Sequence, residues 1–200
     1  MKYTTIYNDP NTRAVITQPW CYWDDGFTEE EISKIIEYCD NKELKTGETF
    51  GGIDEDTRKS QIGFHNRTPE TGWIFDRCNF ILQNINEIYY GFNLNGYSFF
   101  QYTTYKAEEQ GNYDWHMDML MGTTNNDPQP RKLSMTLLLN DDFEGGEFQI
   151  NMGNQNKSEV LPTKKGRALL FPSFMPHRVT PITKGVRKSL VVWCLGPKFQ

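Results

Sequence analysis

The sequence predicts a mainly β protein, a sandwich or jelly roll, with helices confined to its N-terminal third. Three observations carry that reading. After Gly96 the chain breaks into eight short β-rich runs, at 97–105, 113–118, 132–140, 147–151, 158–161, 167–171, 176–180 and 188–195. Gly, Pro and Asn punctuate these runs, as expected of short strands joined by turns. Before Gly96, apolar residues recur mostly at helical spacing. The 200 residues suit one domain (1–200), with a helical part at about 1–96 and a β core at about 97–200.

In chain order, residues 1–18 are polar and Thr/Asn-rich, an arm laid on the outside. Trp20 to Phe27 reads as an aromatic strand that turns at Asp24-Asp25-Gly26. Thr28 and Glu31 have capping-box spacing, and Ile32, Ile35, Ile36 and Cys39 share a helical face, which predicts a helix over 29–40. Residues 41–56 are charged and carry Gly47, Gly51 and Gly52, which marks a loop, either a lid over a site or a solvated connector. Thr68-Pro69 is a helix start, and Trp73, Ile74, Cys78, Ile81, Leu82, Ile85, Ile88 and Tyr89 continue the period to Gly91. That helix is expected to buttress a sheet. Gly145-Gly146 reads as a hairpin turn. The sequence has neither an internal repeat nor a low-complexity linker.

Composition bounds the function. The net charge is −5 with no basic run, which argues against a general phosphate-backbone binder. Cys21, Cys39, Cys78 and Cys194 are scattered without C-x-x-C spacing, so free buried thiols are expected rather than disulfides or a zinc site. Residues 1–10 lack an apolar signal core, and no run of about 18 apolar residues occurs. The expectation is a cytoplasmic enzyme without a membrane partner.

The residues that carry chemistry start at Tyr113-Asp114-Trp115-His116-Met117-Asp118. Side chains alternate along a strand, so His116 and Asp118 share a face and can grip one side of a metal ion. His177, 59 positions beyond Asp118, is a candidate third ligand in the turn-and-strand segment Phe171-Pro172-Ser173-Phe174-Met175-Pro176-His177. Two His and one carboxylate form the facial triad of non-haem Fe(II) oxygenases, which leaves three coordination positions open. Arg187 heads an apolar segment and needs an anion if it points inward. Ser189 and Trp193 share its strand face, so a dicarboxylate could chelate the metal with its 2-oxo acid end and anchor its far carboxylate at Arg187.

Several pieces together resemble the 2-oxoglutarate/Fe(II)-dependent dioxygenases of the prolyl 4-hydroxylase-like (PKHD-type) group. They are Tyr113 to Asp118, Arg131 to Asn140, Phe143-Glu144-Gly145-Gly146-Glu147-Phe148, and Gly166 through Pro197, within roughly 97–197. The resemblance implies a double-stranded β-helix (jelly-roll) fold, with His116, Asp118 and His177 as catalytic iron ligands. It implies Fe(II), with 2-oxoglutarate and O2 as cosubstrates and ascorbate as an accessory reductant. Arg187 matches the position that pairs with the C5 carboxylate of 2-oxoglutarate, where many prolyl 4-hydroxylases carry Lys. The tyrosine that usually meets the cosubstrate stands nine or ten residues before the first ligand. Here Tyr105 and Tyr102 stand eleven and fourteen before it, with Tyr105 favoured. The implied reaction hydroxylates a protein or peptide residue, with proline the first choice, and releases succinate and CO2. The same chemistry on a free amino acid, small metabolite or nucleic-acid base is one alternative, though the acidic balance counts against nucleic acid. A non-catalytic jelly-roll binding module is another.

Other conspicuous residues have plainer readings. Tyr113 and Trp115 share a parity opposite to His116 and read as core packing. His65 has no partner at ligand spacing and reads as structural or solvent-facing. Arg58 and Arg131 are candidates to meet an acidic or carbonyl-bearing substrate, but a solvated face is the simpler expectation. The substrate-selecting segments are expected at 41–56 and 121–130.

Overall fold

The computed structural model describes residues 18–49, 51–119, 129–153 and 157–198. Nearly all of the arm expected at 1–18 and of the segment 121–130 lies outside the described residues. In chain order the first half contains β1 (Cys21–Trp23), α1 (Glu29–Asp40), β2 (Lys45–Thr46), β3 (Arg58–Lys59), β4 (Gln61–Asn66) and α2 (Gly72–Ile85). There follow β5 (Phe99–Lys106), β6 (Asn112–His116), β7 (Arg131–Leu138), β8 (Glu144–Gly145) and β9 (Phe148–Asn151). The last are β10 (Ser158–Val160), β11 (Ala168–Pro172), β12 (His177–Val179), β13 (Ile182–Lys184) and β14 (Val186–Leu195).

α1 starts where its cap says it should. The Thr28 hydroxyl accepts from the Glu31 amide at 3.1 Å, and the Glu31 carboxylate accepts from the Thr28 amide at 2.9 Å, so two orphan donors of the first turn are satisfied. Its buried face is Ile32, Ile35 and Cys39. Glu31 also takes Arg77 of α2 at 2.9 Å, which ties the two helices together. Thr28→Ala is therefore expected to lower unfolding free energy by about 1 kcal/mol, read as a lower urea midpoint at unchanged slope. An unshifted midpoint would mean that solvent replaces the cap.

α2 begins later than the Thr68-Pro69 signal suggests. The Thr68 and Thr71 side chains exchange hydrogen bonds with each other's amides, and the Thr71 hydroxyl donates to the Asn66 carbonyl at 2.9 Å. This makes residues 68–71 a turn, and the α-helix opens at Gly72. Beyond Ile85 it widens into a π turn over Asn86–Tyr90, which Gly91 closes at φ 59°. Such a left-handed cap favours glycine.

The strands form two main antiparallel sheets. The larger has the order β1-β11-β7-β14-β5-β4-β2, and the smaller β10-β9-β12-β6-β3. Alternation along the larger sheet separates two apolar clusters. Tyr102, Leu133, Met135, Leu170 and Leu190 face α1 and α2, while Tyr105, Leu169 and Phe171 face Phe148, Ile150 and Val179 of the smaller sheet. The sheets thus pack face to face, with helices on the outer side of the larger one, the layering of a jelly roll. No described helix is long and apolar enough to cross a membrane. The four cysteines are free and buried, and burial pushes Cys21, Cys39 and Cys194 up to about 12.

Two local expectations change. The loop expected at 41–56 carries β2, whose Lys45 and Thr46 pair with Ile62 and Gln61 of β4. Gly145-Gly146 is not a hairpin between sequence neighbours, because Gly145 pairs with Ile182 across the chain. Both glycines have positive φ, 76° and 63°. A Cβ on Gly145 would strike the Pro181 carbonyl, and one on Gly146 would strike Ile182 and lie 3.0 Å from the Arg187 Cδ. The glycine pair therefore leaves room for the Arg187 stem.

Candidate active site

His116 ends β6 and His177 opens β12, and the two are direct partners across the smaller sheet. Asp118 follows two residues after His116, in the segment leaving β6. The His116 Nε2 lies 3.9 Å from one Asp118 oxygen, and the His177 Nε2 lies 3.6 Å from the other. The ligand atoms of all three residues fall within 4.8 Å of one another, the arrangement one metal ion requires.

Neighbouring groups fix the donor atoms. Each Nδ1 lies near a carbonyl, Asp114 O at 2.7 Å for His116 and Met175 O at 2.9 Å for His177. A carbonyl only accepts, so each Nδ1 carries the proton and each Nε2 keeps a lone pair for the metal. Burial, with His177 beside it, holds His116 down to about 3 against the pull of Asp118, so the imidazole is neutral at pH 7. Burial of Asp118 favours its protonated form. The two imidazoles and the Ser134 hydroxyl outweigh that, and the carboxyl stays below its ordinary pKa. Ser134 of β7 donates to Asp118 at 2.6 Å and is 2.8 Å from the Ser173 hydroxyl. Phe148 and Phe171 pack against the His177 ring at centroid distances of 5.4 and 4.6 Å.

The triad opens into a cavity of about 770 Å³. Arg187, Ser189 and Trp193 of β14 and Tyr105 of β5 line it. Arg187 is only 1 % exposed, its guanidinium donates to the Ser189 hydroxyl at 3.2 Å, and its Nε has no partner among the described residues. Burial pulls its pKa down, with Tyr105 opposing. A guanidinium sealed in this way needs an anion, so the residues present fit a dicarboxylate as well as a metal.

Tyr102 corrects one expectation. It stands three residues from Tyr105, on the other face of β5, and its hydroxyl donates to Asp40 at 2.6 Å among the helices. Tyr102 is not among the residues lining the cavity, and of the two candidates it is Tyr105 that lines it.

Tyr113 corrects another. Strand parity alone turns it away from His116, yet its ring stacks on the His116 ring at 3.5 Å and 11° and lines the cavity. The cause is a bulge: His177 pairs with His116, but Val179 pairs with Tyr113, so β6 spends three residues where β12 spends two. Trp115 sits apart from both apolar clusters, under the Arg178 guanidinium at 4.7 Å. His65 is buried rather than solvent-facing, between Tyr38 and Phe100 at 5.4 and 5.1 Å.

Arg58 and Arg131 also leave the solvated face expected of them. Both line the cavity. Arg58 is 6 % exposed and lies 4.5 Å over the Tyr113 ring, and Arg131 lies 4.0 Å over the Trp193 ring. The sequence offers both as candidates to meet a substrate beside the simpler solvated face, and the meeting of β3, β7 and β14 decides for the cavity. From the segment expected as a lid, Glu43, Lys45, Thr46, Glu48 and Thr49 line the cavity too.

Comparisons with known proteins point the same way. Residues 100–195 match the family model of the 2OG-Fe(II) oxygenase superfamily. A PKHD-type hydroxylase of Synechococcus sp. (strain CC9311) is 37% identical over 91 residues, 44% of this chain and 38% of that protein. A PKHD-type hydroxylase of Alteromonas mediterranea is 35% identical over 92 residues, 44% of this chain and 40% of the other. The matches thus span about two fifths of these relatives. Among solved structures, a Pseudomonas putida prolyl-4-hydroxylase superposes with TM-score 0.70 at 18% identity, covering 88% of this chain and 92% of that one. A Trichoplax adhaerens prolyl hydroxylase, solved with a hypoxia inducible factor peptide fragment, gives 0.72 at 16% identity, covering 88% and 83%. These two likenesses establish the jelly-roll fold. Residues 100–195, which contain all three triad residues and Arg187, are thus similar to the 2OG-Fe(II) oxygenase superfamily.

Proposed function

We propose that the chain is an Fe(II)- and 2-oxoglutarate-dependent hydroxylase whose substrate is a protein or peptide and whose target is a prolyl residue. One observation carries the reading: two histidines and a buried carboxylate within reach of one ion share a cavity with a buried Arg187 that has no carboxylate partner among the described residues. His116, Asp118 and His177 would hold the ion on one side and leave its other side to the cavity. Bound iron with its oxo-acid cosubstrate supplies the oxidising power, and succinate and CO2 are its by-products.

The rest is the work of the chain. Arg187 takes the far carboxylate of the cosubstrate into its fork of N–H donors, with the Ser189 hydroxyl and the Tyr105 ring beside it. Asp118 keeps its negative charge because Ser134 donates to it and two imidazoles flank it. Phe148 and Phe171 keep water from the inner side of His177. Phe148, Phe171 and Trp193 line the same cavity and give it the apolar character suited to a ring such as that of proline. The prolyl target also draws support from the names of the relatives.

The test is succinate formation from 2-oxoglutarate with Fe(II) and ascorbate, with and without proline-containing peptides. We expect peptide-stimulated turnover, a peptide heavier by one oxygen, complete loss on chelation with EDTA, and recovery with Fe(II). Absence of both turnover and metal binding would defeat the reading.

A further inference from the structure

We propose that Arg58 and Arg131 form a second anion subsite in the cavity, which takes a carboxylate of the substrate. The inference rests on the oxygenase reading above, which assigns Arg187 to the cosubstrate. It comes from how the arginines are partnered. Arg67, Arg77, Arg167 and Arg178 lie outside the cavity, and each has a carboxylate at salt-bridge distance, from Asp76, Glu31, Asp24 and Asp114 respectively. Arg58, Arg131 and Arg187 line the cavity, and none has a carboxylate partner among the described residues.

Buried guanidiniums without anions are costly, and this chain brings two buried ones and the half-buried Arg131 into one cavity. Neutral contacts hold them there. Arg58 donates through Nε to the Ser60 hydroxyl at 2.8 Å and through Nη1 to the Glu48 carbonyl at 2.9 Å. Arg131 has the Trp193 ring face and a long contact of 3.5 Å to the Asp118 carbonyl. Arg58 covers Tyr113, and Tyr113 stacks on His116, so the subsite adjoins the metal position.

Charge balance points the same way. With a divalent ion and a dicarboxylate cosubstrate bound, Asp118 and the two carboxylates offset the ion and Arg187. Of the other charged residues lining the cavity, Arg58, Arg131 and Lys45 outnumber Glu43 and Glu48, so a net positive charge remains. A substrate carboxylate beside the reacting residue supplies the missing anion, either from an Asp or Glu side chain or from a chain terminus.

Matched peptides separate these sources. One pair has proline followed by Asp or by Asn; the other ends in a prolyl carboxylate or a prolyl amide. Binding is followed by tryptophan fluorescence on the full chain loaded with Mn(II) and 2-oxoglutarate, so it does not depend on turnover. We expect the acidic member of at least one pair to bind about 10- to 100-fold tighter, the size of a charge-assisted contact. Arg58→Gln and Arg131→Gln should each shrink that ratio toward one, and Arg67→Gln should leave it unchanged. Equal affinities within both pairs, a ratio unaltered in both cavity variants, or no binding by any of the four peptides would overturn the subsite. Failure of the oxygenase reading looks different: no succinate forms with any peptide, whatever the binding ratio.

Discussion

Asp118→Asn is expected to cut 2-oxoglutarate turnover by about 10³-fold or more, since a metal centre supplies several kcal/mol to such a reaction. The amide has the shape of the carboxylate, and its oxygen can still accept from Ser134. What it lacks is the charge that offsets a divalent ion. Iron affinity should fall with turnover, while the melting temperature in EDTA should stay close to native, because the change also removes a buried charge. Succinate assays and Fe(II) titration read the first effect, and thermal unfolding reads the second. Turnover within tenfold of native would remove Asp118 from the ligand set.

Arg187→Met should split function from stability. Losing a two-pronged charge-assisted contact costs about 1.5–3 kcal/mol per hydrogen bond, so the KM for 2-oxoglutarate should rise by at least 10²-fold. The cosubstrate-free chain should become more stable, by about 1–3 kcal/mol, because an enclosed cation with an unsatisfied Nε gives way to an apolar side chain of similar length. Denaturant titration without cosubstrate checks the sign. A less stable variant would mean that Arg187 holds the sheet together and does not wait for a ligand.

These effects were partly visible in the chain's letters. The capping box at Thr28 and the shared face of His116 and Asp118 depend on neighbours two or three residues apart, and they could be read directly. His177 and Arg187 needed a longer argument, because their place depends on β12 pairing with β6 and on β14 crossing the larger sheet. Tyr113 was misread because parity arguments assume an unbroken pleat, and the bulge in β6 breaks it. β4 was missed because Gly63 and the polar residues of Gln61–Asn66 weaken its strand signal, yet its pairing with β5 is continuous over six residues. Arg58 and Arg131 look like ordinary surface charges until three strands enclose them.

The hydrogen-bonded line from Asp118 through Ser134 to Ser173 joins the smaller sheet to the larger at one end of the barrel. The triad therefore sits on the seam of the fold, where one residue of strand slippage would scatter its ligands. The cavity lining contributed by Glu43, Lys45, Thr46, Glu48 and Thr49 belongs to the segment around β2, a two-residue edge strand paired with β4. Mutation can rework that lining without disturbing the seam. For evolution or an engineer, retargeting such a chain means redrawing its border while its reactive centre passes unchanged from one substrate to the next.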